Sequence, residues 1–181
     1  MSELSGRPLV EVAAAVASAG PLPAGGSSAA VAGALAAALV EQSARVAVRR
    51  VEDDAAKTRI SEMSERATTL RGELLELADR DVAAGTAGLA GDASGESVDV
   101  PLAIASAASE TALFAAELAG LTPGHVRADA VTALLLAEAA TAAAAGIVAT
   151  NLAGSDDPRG PRAAEHARRA GEARRRGAAA L

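Results

Sequence analysis

The chain has 181 residues, a net charge of −6 and an isoelectric point near 5.0, a balance that argues against nucleic-acid partners. It contains no Cys, which excludes disulfides and thiolate metal ligands, and its N-terminus, MSELSGRPLVEV, lacks the basic and apolar regions of a signal peptide; both fit a cytoplasmic protein. Half of the residues are apolar, alanine dominates, Trp and Tyr are absent, and Phe114 is the one aromatic residue. This composition predicts a single all-α domain over 1–181, an up-and-down bundle of about six helices with an Ala-rich core. Small side chains bury little area each, so a homo-oligomer is expected to bury more.

The first helix is predicted from Pro8 to Ala19, stopped by Gly20 and Pro21-Leu22-Pro23. The second opens at Gly25-Gly26-Ser27-Ser28 and runs to about Arg50; its segment AAVAGALAAALV is apolar all round, which marks it as central. The third spans about Asp53 to Leu89, with Asp53 and Asp54 favourable at its N-terminus. Gly91 to Gly95 breaks the chain, and a fourth helix follows from about Val98 to Leu121, with Pro101 in its first turn. After the turn Thr122-Pro123-Gly124, the fifth helix is predicted from about Ala128 to Leu152. Ala130 to Gly154 is apolar enough to suggest a membrane span, but it is rich in Ala and Thr and carries Glu138, so it reads as a buried core helix with no membrane partner. A sixth helix can start at Asp157-Pro158, with Gly160-Pro161 delaying it. The stretch 158–181 is dense in arginine and lacks large apolar residues. It reads as a solvated helix or a frayed tail, with a basic site for an anionic ligand as the other option.

One position in the third helix breaks its pattern. Ala56, Ile60, Met63, Ala67, Leu70, Leu74 and Leu77 recur at steps of four and three, the period of a buried helical stripe. The next position is Asp81, and Ala84 resumes the run. A carboxylate aimed into a core is costly without a partner or a task. Two roles are open to Asp81: a structural one, held by an Arg or by helix-end N–H groups, and a chemical one, as general base or counter-ion to a cationic substrate.

Three further sets of residues are candidates. Gly25, Gly26, Ser27 and Ser28 begin a helix with free N–H groups, which serve either as a plain cap or as an anion site; no P-loop lysine accompanies them. Asp129 opens the fifth helix, where a capping role is the default, and His125 precedes it as a proton carrier or an exposed turn residue. Glu138 and Asn151 lie in the apolar fifth helix, about 140° apart around its axis. No His or carboxylate spacing fits a metal site.

Five pieces in order resemble the cyclodeaminase/cyclohydrolase family, which includes the cyclodeaminase domain of formiminotransferase-cyclodeaminase and the bacterial methenyltetrahydrofolate cyclohydrolases. A Pro-Gly-Gly-Gly-Ser-x-Ala-Ala loop is matched by Pro23-Ala24-Gly25-Gly26-Ser27-Ser28-Ala29-Ala30, and a Leu-x-x-x-Asp-x-x-Ala-Phe stretch by Leu77 to Gly85 with Asp81 at the key acid. A Val-Pro-Leu piece is Val100-Pro101-Leu102; a Gly-Asn-x-x-x-Ser-Asp-Ala piece aligns with Gly124 to Ala130; and an Asn-Val-x-Ile-Asn-Leu piece aligns with Ile147 to Leu152. The sequence departs from the pattern at Ala24, at Gly85 where the family has Phe, at His125, at Ala128 and at Ile147 where it has Asn.

The resemblance implies a homodimeric folate-interconverting enzyme without a cofactor. Such an enzyme hydrolyses 5,10-methenyltetrahydrofolate to 10-formyltetrahydrofolate, or cyclises 5-formiminotetrahydrofolate and releases ammonia. It implies Asp81 as the catalytic residue, with Gly25, Gly26, Ser27, Ser28, His125, Asp129 and Asn151 around the substrate. The departures also allow a non-catalytic folate-binding or structural dimer of the same family.

Overall fold

A computed structural model describes residues 3–90, 95–122 and 124–178, the side chains of 125 and 178 excepted. Most of the predicted break at 91–95 lies outside these residues, as do Pro123 of the predicted turn and the side chain of His125. The described chain forms a short 3-10 turn (Leu4–Gly6) and six α-helices: α1 (Leu9–Val16), α2 (Gly25–Ala47), α3 (Asp54–Leu89), α4 (Glu96–Leu121), α5 (Gly124–Asn151) and α6 (Arg159–Ala178).

The stripe on α3 is buried as its period predicts: Ile60, Met63, Ala67, Leu70 and Leu74 are fully enclosed, and Leu77 nearly so. Asp53 starts the helix by accepting the Ala56 amide at 2.7 Å. α2 lies along α3 with a face of Ala29, Ala30, Gly33, Ala34, Ala37 and Val40. Contact is close because this face is small: a Cβ on Gly33 would stand 3.2 Å from Leu74 Cδ2. One core cluster joins the C-terminal half of α2 to the N-terminal half of α3, the C-terminal half of α4 and the N-terminal half of α5. A second joins the opposite halves of the same helices. Consecutive helices from α2 to α5 therefore run antiparallel, in an up-and-down bundle, with α4 packed on α2, α3, α5 and α6.

Four local predictions need correction. α1 is shorter than expected and has no buried residue. α4 starts at Glu96, so Pro101 falls in its second turn rather than its first. α5 starts at Gly124, so Asp129 sits inside the helix and is not its cap. α6 is not a frayed tail: Ala163, Ala170, Ala173 and Gly177 form a buried stripe against α4 and α5. A Cβ on Gly177 would run into Leu134 Cδ2. Alanine and glycine replace large apolar residues here because the helices approach so closely. Most arginines of α6 are exposed: Arg168 pairs with Glu165 and Glu172 on the same helix, while the partly buried Arg159 reaches Asp99 of α4.

α2, α4 and α5 are each long and apolar enough to cross a membrane by length and composition. Their hydropathy follows from their central place in the bundle. The buried carboxylate of Glu41 in α2 is paired there with Arg45 at 2.6 Å and Arg71 at 3.1 Å.

Candidate functional site

Asp81 reaches across from α3 to the N-terminus of α2. Its Oδ2 accepts the Ser27 amide at 2.6 Å. The residue at the N-cap of α2 is Ala24, which has no side-chain acceptor, so Asp81 satisfies from another helix a donor that a local cap would normally take. Ser27 completes the arrangement in the other direction, its Oγ accepting the Ala24 amide at 3.1 Å. Ser28 turns its hydroxyl back to the Ala24 carbonyl at 2.7 Å.

Gly26 makes the approach possible. A Cβ there would lie 2.5 Å from Asp81 Cγ and 2.7 Å from Oδ2, inside any tolerable contact. At the adjacent Gly25, a Cβ would meet only Ile147 Cδ1, at an ordinary 3.7 Å. The two glycines therefore differ in role, and Gly26 is the one the carboxylate requires.

Burial pushes the Asp81 carboxyl above its ordinary value of 3.8, against the Ser27 backbone and side-chain hydrogen bonds that pull it down. The positive end of α2 also favours the anion. Asp81 is thus a half-buried carboxylate with raised proton affinity and a fixed orientation, the properties of a general base.

Val82, the residue after Asp81, helps to line an apolar pocket of about 290 Å³. Leu22 and Pro23 form one wall, Val82, Thr86 and Leu89 of α3 another, and Leu4 and Arg7 the rim. Leu22 also explains Gly85. A Cβ at Gly85 would stand 2.7 Å from Leu22 Cδ2, so the leucine occupies the space beside the helix where the family pattern carries a phenylalanine.

The other predicted site residues divide between the two ends of α5. Asn151, at the end of α5, donates from Nδ2 to the Ser97 carbonyl at 2.8 Å. That carbonyl lies four residues before Pro101, which has no N–H to return to it, so the Asn151 amide supplies the hydrogen bond that the proline removes. Ile147, one turn earlier, borders Gly25. Asp129 lies 18 positions before Ile147 on the same helix, which sets it about 27 Å away along the axis. Position 125 is at that far end too. Among the described residues, no three metal-ligating side chains converge.

Sequence reasoning passed over Arg7, Leu22 and Glu41. Glu41 carried a readable signal, as the one acid in the alanine-rich α2. Arg7 and Leu22 carried none, because their importance depends on where the chain before α2 folds back onto α3.

The profile of the family described as formiminotransferase-cyclodeaminase matches residues 8–90 and 89–170. The chain belongs to this family. Its fold is similar to the crystal structure of formiminotetrahydrofolate cyclodeaminase from Thermotoga maritima, with a TM-score of 0.88 and 23% identity over 99% of this chain and 98% of that one. A search of curated proteins gives no sequence match. In this formiminotransferase-cyclodeaminase family member, the glycine-serine motif of α2 and the acid motif of α3 meet through the short bond from the Ser27 amide to Asp81, although 54 residues separate them.

Proposed function

We propose that the protein is a cytoplasmic folate-interconverting enzyme. It hydrolyses 5,10-methenyltetrahydrofolate to 10-formyltetrahydrofolate, or cyclises 5-formiminotetrahydrofolate with loss of ammonia. The observation that carries this reading is Asp81, oriented by the Ser27 amide next to an apolar pocket, in a chain of this family. In the hydrolytic direction, Asp81 takes a proton from water as the water oxygen bonds to the cationic methenyl carbon. The bond from that carbon to N5 then breaks, N5 is protonated, and the formyl group stays on N10. In the cyclising direction, N10 attacks the carbon of the protonated formimino group, the N10 proton passes to the formimino nitrogen, and the carbon–nitrogen bond to the departing ammonia breaks. In both, the carboxylate sits opposite a cationic carbon, where its charge has most effect.

The test is the loss of methenyltetrahydrofolate absorbance with purified protein, run beside a 5-formiminotetrahydrofolate assay. Asp81→Asn keeps an oxygen for the Ser27 amide and should fold while losing most turnover; full activity in that variant would refute the role. Ile147, apolar where the family pattern has Asn, favours a second reading in which folate is bound without turnover. Tight binding with no accelerated decay would select it.

The same proposal includes a homodimer. Ala128, Thr132, Leu135, Ala139, Ala142, Gly146 and Ala149 form an exposed stripe along the whole of α5, with Leu135 45% exposed and Leu35 of the adjacent α2 51% exposed. Such small residues suit close contact with another helix. A two-fold axis near the middle of α5 would run the paired helices antiparallel. The partner's Asp129 would then lie opposite Val148, near the start of α2, so the second copy would supply what one chain keeps about 27 Å away.

A further inference from the structure

We propose that the pocket beside Asp81 is a binding site for an aryl amide carrying a carboxylate. This inference rests on the folate reading and narrows it: the occupant is the p-aminobenzoyl-glutamate part of the substrate. The ring lies between Leu4, Leu22, Val82 and Leu89, its carboxylate meets Arg7, and Leu22 sets the depth.

The pocket is firmly built. The 3-10 turn that brings Leu4 to its rim is tied to α3 by two hydrogen bonds to Asp79, from the Ser5 amide at 3.1 Å and the Ser5 hydroxyl at 2.5 Å. The opposite wall, Leu22, is seated over Gly85. The volume of about 290 Å³ takes one substituted ring rather than a whole folate. Val82 follows Asp81 directly and Pro23 lies three residues before Gly26, so chain neighbours of both the carboxylate and the start of α2 line the pocket.

Charge identifies the anionic end. Arg7 is the one charged residue among those lining the pocket. Among the described residues its guanidinium makes no ion pair or side-chain hydrogen bond, so its donors face the pocket mouth uncommitted. The N-terminus of α2 is the other positive feature nearby, but the Ser27 amide is already taken by Asp81. A carboxylate brought there would meet the negative charge of Asp81, so the glycine-serine helix end is a poor seat for the glutamate tail. Arg7 offers an unopposed one.

The experiment measures binding of p-aminobenzoyl-glutamate and of p-aminobenzamide, which lacks the carboxylate, to the intact protein by calorimetry, together with folate kinetics. Arg7→Met should raise the Kd for p-aminobenzoyl-glutamate and the folate KM about tenfold, leaving kcat and p-aminobenzamide binding unchanged. Leu22→Trp, which fills the pocket, should weaken both probes. If the protein turns over folate while Arg7→Met and Leu22→Trp leave KM and both Kd values at the parent level, this site is wrong and the folate reading stands. If p-aminobenzoyl-glutamate binds with the expected dependence on Arg7 but no folate is converted, the site stands and the enzymatic reading fails. No measurable binding of either probe to the parent protein overturns the site outright.

Discussion

Replacing Gly26 by alanine tests whether Asp81 needs its seat on α2. The new Cβ would fall 2.5 Å from Asp81 Cγ, so the carboxylate must swing away and give up its 2.6 Å bond to the Ser27 amide. A hydrogen bond to a charged group contributes about 1.5–3 kcal/mol. Alanine returns about 0.5–1 kcal/mol through its better helix propensity. The net expectation is a loss of about 1–2 kcal/mol, a drop in Tm of about 2–8 °C for a chain of this size. Turnover should fall about a hundredfold, because the base is displaced by an ångström or more. Gly25→Ala is the control, since its Cβ meets only Ile147 Cδ1 at 3.7 Å and leaves Asp81 in place. Thermal unfolding and methenyltetrahydrofolate decay, measured on both variants, decide the matter. If Gly26→Ala matched the parent in Tm and rate, or if Gly25→Ala were the more damaging change, the steric argument would be refuted.

Asp81 must be ionised to act as a base and its proton affinity is raised, so the acid limb of kcat/KM should lie above pH 3.8 and disappear in Asp81→Asn. For stability the sign is opposite: the raised group favours folding at low pH, and that contribution is lost as pH rises from 3.8 through the folded value, a slope Asp81→Asn should remove from urea titrations. His166 has its pKa lowered, chiefly by burial and then by Arg169 and Arg162, and its buried Nδ1 has no partner among the described residues. Its neutral form stabilises the fold fully above pH 6.5, so Tm should fall as pH drops below that value, and His166→Gln should flatten the profile. Asn151→Ala should cost about 0.5–1.5 kcal/mol by leaving the Ser97 carbonyl to water, and the cost should shrink in a Pro101→Ala background that restores a backbone donor; equal costs in the two backgrounds, by double-mutant cycle, would remove the explanation. Leu135→Arg places a charge in the exposed α5 stripe and should shift light-scattering mass from dimer to monomer, with turnover falling in step; an unchanged mass would move the interface elsewhere.

The bundle was legible because its large residues keep helical time. Ile60 to Leu77 on α3 mark a buried stripe that no other structure fits, and the one interruption, Asp81, proved to be where a second helix begins. The C-terminal helix was less legible for a physical reason. Its buried stripe is Ala163, Ala170, Ala173 and Gly177, and in a chain so rich in alanine a stripe of small residues does not stand out from the background. Asp129 was misread as a cap because α5 starts a turn earlier, at Gly124. The pairing of Asn151 with the carbonyl orphaned by Pro101 depends on the tertiary approach of the end of α5 to the start of α4, which neither segment encodes alone. The same holds for Leu22 and Gly85: a missing phenylalanine looks like a lost contact until the leucine that fills its place is seen.

The capping geometry observed for Asp81 is also the geometry that its proposed role as a base requires. As a cap, the carboxylate ties α3 to α2 and fixes the direction of its oxygens through the Ser27 amide. As a base, it needs fixed geometry and a proton affinity above that of a free aspartate, and desolvation supplies the second. The two demands oppose each other electrostatically: hydrogen bonds from the helix end stabilise the anion, while burial destabilises it, and burial is the larger effect. A ligand ring filling the adjacent pocket would strip more water from the carboxylate without touching the Ser27 bond. Proton affinity would then rise further when substrate is present, with the geometry held constant. An alanine at position 26 would disturb the geometry first, whereas a change at Leu22 would alter the desolvation first. The two variants should therefore separate in kinetics, Gly26→Ala lowering kcat and Leu22→Trp raising KM.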